Sequence, residues 1–317
     1  MQNLVRYFLI CAVATVPISA AIAAPGDNPV SSHGGGGPMP RAEIAATVSP
    51  SAGTGSTSLA EIQASGASIP AQQPFPPNGL ATVAYGSAGK RGESLINWDS
   101  RTRAYTKNYP TRAIVFIEYN GNHLCTGFMY ASNMVATAGH CVHTGGSSGA
   151  WRNKNLMKVY AGRDGTASPF GSCAVTRLWS VVGWTRNKDF RYDYGAMRLN
   201  CTIGNTVGWF GMYTHSSPTG QPAIIGGYPG DKPRDQWTSA DKIRQFSTEM
   251  LAYRMDTVGG HSGSPIWHDR EEATATNGAW AIGVHNYGVG AYGSNTNASA
   301  RLTSVRIQNY INWRNAP

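Results

Sequence analysis

Charge is scarce in this sequence: Asp, Glu, Lys and Arg make up 14% of its 317 residues. That argues against long solvated helices, whereas abundant Gly, Ser, Thr and Asn suit a turn-rich, mostly β protein. Long apolar runs are missing too. A membrane-spanning helix needs about 18 or more uninterrupted apolar residues, and the one N-terminal candidate is broken by Pro17 and Ser19. No blocks of Lys or Arg occur, so the net charge of +9 reads as a solvated basic surface, with no nucleic-acid partner expected. Residues 94–317 carry that whole net charge, because the cations before them (Arg6, Arg41, Lys90, Arg91) are matched by Asp27, Glu43, Glu61 and Glu93. Cysteine is sparse, and no Cys-x-x-Cys pair is present. This weakens a zinc reading of His123, Cys125, His140, Cys141 and His143, so no metal and no organic cofactor are expected.

What is present starts with an export pattern. Arg6 precedes an apolar stretch, Tyr7 to Val16, and the small-residue segment Ala20 to Ala24, consistent with a signal peptide over 1–23 cleaved after Ala23. Cys11 leaves with it, and Cys125, Cys141, Cys173 and Cys201 remain. An even count in an oxidising compartment points to disulfides. Of the three possible pairings, 125–141 and 173–201 are favoured because each joins neighbours in sequence.

Residues 24–93 hold Gly34 to Gly37 and Pro74-Phe-Pro-Pro77, with too little patterned apolar surface for a core of their own. They are expected to be a largely disordered propeptide. From Ser94 onward short β-type runs alternate with turns: 113–119, 134–138, 156–161, 175–182, 223–228, 243–255 and 280–284. Val305, Ile307, Tyr310 and Ile311 then show helical spacing after Thr303 or Ser304, either of which suits an N-cap.

Hydrolysing an amide with a serine requires a base, a carboxylate to orient it, and donors for the oxyanion. His140, in Ala136-Thr-Ala-Gly-His-Cys141, stands where an apolar strand ends. Ser262 lies in Gly259-Gly-His-Ser-Gly-Ser-Pro265, whose glycines allow positive φ and can turn the Gly260 and Ser262 amides inward as an oxyanion hole. The α/β-hydrolase elbow also uses Gly-x-Ser-x-Gly. Here, however, Ser264 replaces the last Gly, and only Asp269 to His285 could supply the later acid and histidine. Several aspartates lie between His140 and Ser262; Asp193, in Asp193-Tyr-Gly-Ala-Met-Arg-Leu199, is preferred, with Asp189 second.

These strings, with Tyr109-Pro-Thr-Arg-Ala-Ile-Val115, Cys125-Thr-Gly-Phe128 and Gly283-Val-His-Asn286, resemble the chymotrypsin-like serine peptidases over about 94–317. The resemblance is greatest to the bacterial glutamyl endopeptidase branch, which cuts after Glu. It implies an all-β fold of two six-stranded antiparallel β-barrels with a C-terminal helix, the active site lying between them. It also implies a secreted, monomeric enzyme acting on protein or peptide substrates, without a membrane association after signal removal.

The same resemblance places His285 at the floor of the substrate pocket and gives Thr257, five positions before the serine, a supporting role. An imidazole donates to a carboxylate, and its protonated form adds charge to that bond. His261 replaces the Asp that precedes the serine in trypsin-like zymogens, so maturation cannot use that ion pair. In the glutamyl branch the freed amine lies near the substrate carboxylate, which makes Glu93-Ser94 the candidate cut site and Ser94 a substrate-binding residue. Two other readings remain at this point: the same fold with a different pocket, and an inactive homologue serving as a binding module.

Overall fold

The computed structural model describes residues 25–33, 47–68, 94–96, 98–270 and 278–317. The expected signal segment 1–23, the glycine run 34–37, the proline run 74–77 and Glu93 lie outside them.

Three short strands come first: β1 (Pro29–Ser31), β2 (Thr47–Val48) and, after helix α1 (Leu59–Ala64), β3 (Thr102–Arg103). Six strands then form the first barrel: β4 (Ile114–Tyr119), β5 (Asn122–Ala131), β6 (Met134–Thr137), β7 (Met157–Ala161), β8 (Cys173–Val181) and β9 (Gly195–Leu199). The order β8-β7-β4-β5-β6-β9 closes through β8 pairing with β9. Single-turn helices α2 (Val182–Thr185) and α3 (Gly204–Val207) flank β9, and β10 (Gly211–Tyr213) leads into the second half.

The second barrel consists of β11 (Pro222–Gly227), β12 (Trp237–Phe246), β13 (Met250–Tyr253), β14 (Pro265–Arg270), β15 (Gly278–Tyr287) and β16 (Asn297–Arg301). It closes through β14 pairing with β15. The chain ends in α4 (Ser304–Asn315). The architecture is therefore two closed six-stranded antiparallel barrels and a C-terminal helix, as the resemblance implied.

Closure of each sheet removes exposed strand edges and gives every strand an inward face. Ile114, Val115, Phe116 and Ile117 are buried in β4, and Phe128 and Met129 in β5. Ile225, Ile243, Leu251, Tyr253, Ile266 and Ile282 fill the second barrel. At about 25 cal/mol per Å² of apolar surface, these two cores are the main source of stability.

Two sequence expectations change. The run 243–255 is a hairpin rather than one strand. Ser247 stops it, its hydroxyl accepting from the Glu249 and Met250 amides while its own N–H donates to the Met250 carbonyl at 2.9 Å. The segment 24–93 is not without structure throughout, because residues 25–33 and 47–68 lie against the barrels. It instead lends strands β1 and β2 to existing sheets and buries Asp27, Val48, Ile62 and Ala67 against residues after 94. In α4 the cap is Thr303, whose side chain accepts from the Arg306 amide, and Ile307, Tyr310 and Trp313 form the core face.

Candidate active site

His140 sits in a 3-10 turn at the end of β6, beside Cys141, which is disulfide-bonded to Cys125 on β5. The second disulfide joins Cys173 and Cys201. Sulfur atoms of Cys125 and Cys141 and a ring nitrogen of His140 lie within 4.8 Å of one another. The disulfide uses both thiolates that a zinc ion would require.

Asp193 follows a 3-10 turn, Phe190–Tyr192, and leads into β9. It is fully buried. Its Oδ1 accepts the His140 backbone N–H at 2.7 Å, and its Oδ2 lies 2.8 Å from His140 Nδ1. A carboxylate can only accept, so Nδ1 carries the proton and Nε2 is left with a lone pair. Gly139 makes this approach possible, since a Cβ there would fall 2.9 Å from Asp193 Oδ1. The Trp184 and Tyr287 rings flank the imidazole, each 6.2 Å from it. Asp189 is engaged with Arg191 instead. It caps the 190–192 turn and pairs with Arg191 at 2.6 Å. Burial raises its carboxyl pKa, but the Arg191 hydrogen bonds and charge outweigh that and lower it overall.

Ser262 lies between β13 and β14, and the turn carrying it packs on the strand that delivers His140. Gly263, at φ +92°, is so close that a Cβ would fall 3.0 Å from the Ala138 nitrogen. The two proposed oxyanion donors can be placed by their peptide planes. The Gly259 carbonyl accepts from the Gly230 amide at 2.7 Å, and the His261 carbonyl from the Ser264 amide at 2.8 Å. In a trans peptide the N–H points opposite to the C=O, so the Gly260 and Ser262 amides both face away from these anchors. Gly260 has φ +108°, and a Cβ would fall 2.6 Å from the Tyr228 carbonyl, so this position requires glycine.

Thr126 of β5 is a further part of the site that the motifs did not single out. Its N–H donates to the Ser262 carbonyl at 2.9 Å, its hydroxyl donates to the Gly260 carbonyl at 2.7 Å, and it accepts from the Tyr228 amide at 2.9 Å. It stands in the Cys125-Thr-Gly-Phe128 string, but nothing in the sequence pairs it with residues more than a hundred positions away. Asn286 was missed for the same reason. Its side-chain amide donates to the Asp193 carbonyl at 3.2 Å and steadies the acid's backbone.

His285 is fully buried on β15, with Nδ1 and the Tyr253 hydroxyl sharing a hydrogen bond at 2.6 Å. Its backbone is tied to the serine turn: the Gly263 amide donates to the His285 carbonyl at 2.7 Å, and the His285 amide to Ser264 at 2.9 Å. Thr257 is also buried, and its hydroxyl has no hydrogen-bond partner among the described residues. The same holds for the hydroxyl of Ser299, which stands directly opposite His285 in the β15–β16 register. The Thr257 amide donates to the Ser94 carbonyl at 3.2 Å. Asn297 accepts from the Ser94 amide at 3.3 Å and donates to its carbonyl at 2.8 Å. Asp256 then takes the Ile96 amide at 2.6 Å and the Ser100 amide at 2.8 Å. His261 makes a local contact, Nδ1 accepting from the Val258 amide at 3.1 Å.

Among the described residues no helix is long and apolar enough to cross a membrane.

Comparison with known proteins agrees with this geometry. Residues 100–313 match the family model described as Trypsin. A protein named glutamyl endopeptidase from Bacillus licheniformis is 43% identical over 227 residues, covering 71% of this chain and 70% of that one. A Bacillus subtilis protein named extracellular metalloprotease is 38% identical over 231 residues, 70% of each chain. Among solved structures, a Glu endopeptidase in complex with MPD superposes with a TM-score of 0.61 at 28% identity, covering 70% of this chain and all of that one. The chain belongs to the trypsin family of serine endopeptidases and within it is similar to bacterial glutamyl endopeptidases.

Proposed function

We propose that this endopeptidase is exported, matures by cleavage between Glu93 and Ser94, and cuts peptide chains after Glu, and more slowly after Asp, with His140, Asp193 and Ser262 as its triad. The observation that carries the triad is the buried Asp193 carboxylate holding both the backbone and the ring of His140. Asp193 fixes the Nδ1–H tautomer, and His140 Nε2 takes the Ser262 hydroxyl proton as Oγ attacks the scissile carbonyl. The oxyanion is received by the Gly260 and Ser262 amides. His140 passes its proton to the leaving amine, and the acyl-enzyme forms. Water then repeats the sequence, giving its proton to His140, and Ser262 is restored.

The Glu preference is supported by polar residues around the serine turn. His285, backed by Tyr253, is tied through its backbone to Gly263 and Ser264, the Ser299 hydroxyl stands opposite it, and the buried Thr257, five positions before the serine, is bonded to Ser94. Cleavage before Ser94 would create an α-amine beside these residues and add a positive charge for a substrate carboxylate. Similarity to proteins named glutamyl endopeptidase points the same way. His285→Leu removes the donor and is expected to abolish preference for Glu over Gln at the cut position while leaving fluorophosphonate labelling of Ser262 intact. Cleavage by the unaltered enzyme mainly after Lys or Phe would refute the specificity. N-terminal sequencing of Ser262→Ala beside the unaltered protein tests self-processing, which fails if the variant still begins at Ser94.

A further inference from the structure

The leader that precedes the peptidase domain is built into both of its barrels. β1 adds to the first sheet along β8, with Val30 opposite Ser180, and the Ser32 amide extends the ladder to the Leu178 carbonyl at 3.0 Å. β2 adds to the second sheet along β10, with Val48 opposite Met212. Ser51 and Trp209 exchange two backbone hydrogen bonds of 3.0 and 2.7 Å, and Ser68 and Ser172 exchange two of 2.7 Å. Through residues 29–32 and 47–68 the leader thus lies along both barrels.

One contact carries a charge into the core. Asp27, 7% exposed, accepts from Arg306 Nε at 3.0 Å and from the Tyr194 hydroxyl at 2.8 Å. The remaining Arg306 donors reach the carbonyls of Glu249, Arg301 and Arg191 at 2.8, 3.1 and 2.9 Å. Those acceptors are neutral, so among the described residues Asp27 supplies the carboxylate that faces this fully buried guanidinium. Burial lowers the Arg306 pKa, and Asp27 with Tyr194 reverses that to a net rise. Gly26 permits the approach, because a Cβ there would fall 2.5 Å from the Tyr192 ring. A buried cation without its anion is strongly unfavourable, so a domain stripped of residues 25–33 would hold Arg306 uncompensated. The same patch, Tyr192, Tyr194 and Arg191, borders Asp193.

We propose that the leader, held through residues 25–33 and 47–68, is retained as a non-covalent subunit on the peptidase domain after the chain is cut ahead of Ser94, with Asp27 as the anchor in the Arg306 site. The inference rests on the reading of Ser94 as the mature start, and the test separates the two. Ser262→Ala protein, unable to cut itself, receives a recognition sequence for an unrelated site-specific protease within 74–88 and is nicked after folding. Size-exclusion chromatography with mass spectrometry should find both pieces in one equimolar complex. Asp27→Ala and Arg306→Met should each release the leader on the order of 100-fold faster, the loss of a buried charge pair. The domain left by Arg306→Met should melt above that left by Asp27→Ala, because only the latter retains a guanidinium without a carboxylate. Gly26→Val should also release the leader, by steric block alone. Separation of the unaltered leader from a domain whose melting is unchanged overturns the proposal, as does equal release in every form. A natural N-terminus other than Ser94 would count against the maturation site alone, since the nick is placed independently of it.

Discussion

Replacing Asp193 by Asn tests the triad with almost no change of shape. Asp193 uses its two oxygens on two different donors of one residue, the fixed backbone N–H of His140 and the ring Nδ1. Asn has one oxygen and one NH2 group. The backbone N–H can only donate, so the oxygen must stay with it, and the NH2 then faces Nδ1. Nδ1 has to become the acceptor, and the proton moves to Nε2, the atom that must take the proton from Ser262. The tautomer is thereby inverted with the ring in place. The expected loss in kcat is about 10⁴-fold, with KM nearly unchanged, as for a triad whose base is present in the wrong tautomer. Stability should fall by the loss of one charge-assisted bond in a buried site, about 1.5–3 kcal/mol. Steady-state kinetics on a peptide substrate with Glu at the cut position, run beside the rate of fluorophosphonate labelling, reads both effects. A loss of less than about tenfold would refute the assignment and reopen the choice of acid. Asp189→Asn is the control: it caps a turn and pairs with Arg191, and should leave kcat within a few-fold.

Three other outcomes follow from the geometry. Gly260→Ala forces a side chain into a φ of +108° against the Tyr228 carbonyl, so the peptide must rotate and kcat should drop about 10²–10³-fold by loss of one oxyanion donor, seen in steady-state kinetics with little change in KM. Removing the Cys125–Cys141 disulfide by double Ala substitution opens a loop of sequence separation 16, costs about 3 kcal/mol and should lower the calorimetric melting temperature by about 6–12 °C. Arg101, whose side chain is 0% exposed, bonds both Asp99 and Asp231. Its hydrogen bonds hold Asp99 well below the usual carboxylate range, and at Asp231 they reverse the upward push of burial to a net lowering. Carboxyls with depressed folded pKa values stabilise above the ordinary value near 3.9 and lose that contribution as pH falls through the folded ones. Urea titrations of Arg101→Met and the unaltered protein should therefore differ most near neutrality and converge as pH drops from about 5 toward 2.

Much of the fold was legible because closed antiparallel barrels leave strong local signatures. The runs around Ile114, Met134 and Ile225 became strands close to their expected bounds, and Thr303 caps the terminal helix as its position before the apolar spacing suggests. What failed locally did so through turn chemistry: Ser247 ends a run whose apolar content looks continuous. His140, Asp193 and Ser262 were legible as candidates because each stands near a strand end in a string shaped by tight glycine geometry. Thr126, Asn286 and Ser299 were not, since their roles come from partners brought near by barrel closure rather than by neighbours in the chain. The docking of 25–33 and 47–68 escaped notice because it relies on backbone ladder bonds, one buried ion pair and the scattered apolar residues Val48, Ile62 and Ala67, which form no periodic pattern. Asp27 and Arg306 are 279 positions apart.

Thr126 has a mechanical consequence. One residue of the first barrel grips the Ser262 loop of the second by two hydrogen bonds and takes a third from Tyr228 at the end of β11, with the adjacent Cys125 cross-linked to the neighbour of His140. Any separation of the two barrels must break that grip before it can alter the distance between His140 and Ser262. The relative placement of His140 and Ser262 is thus latched to the closed arrangement of the two barrels.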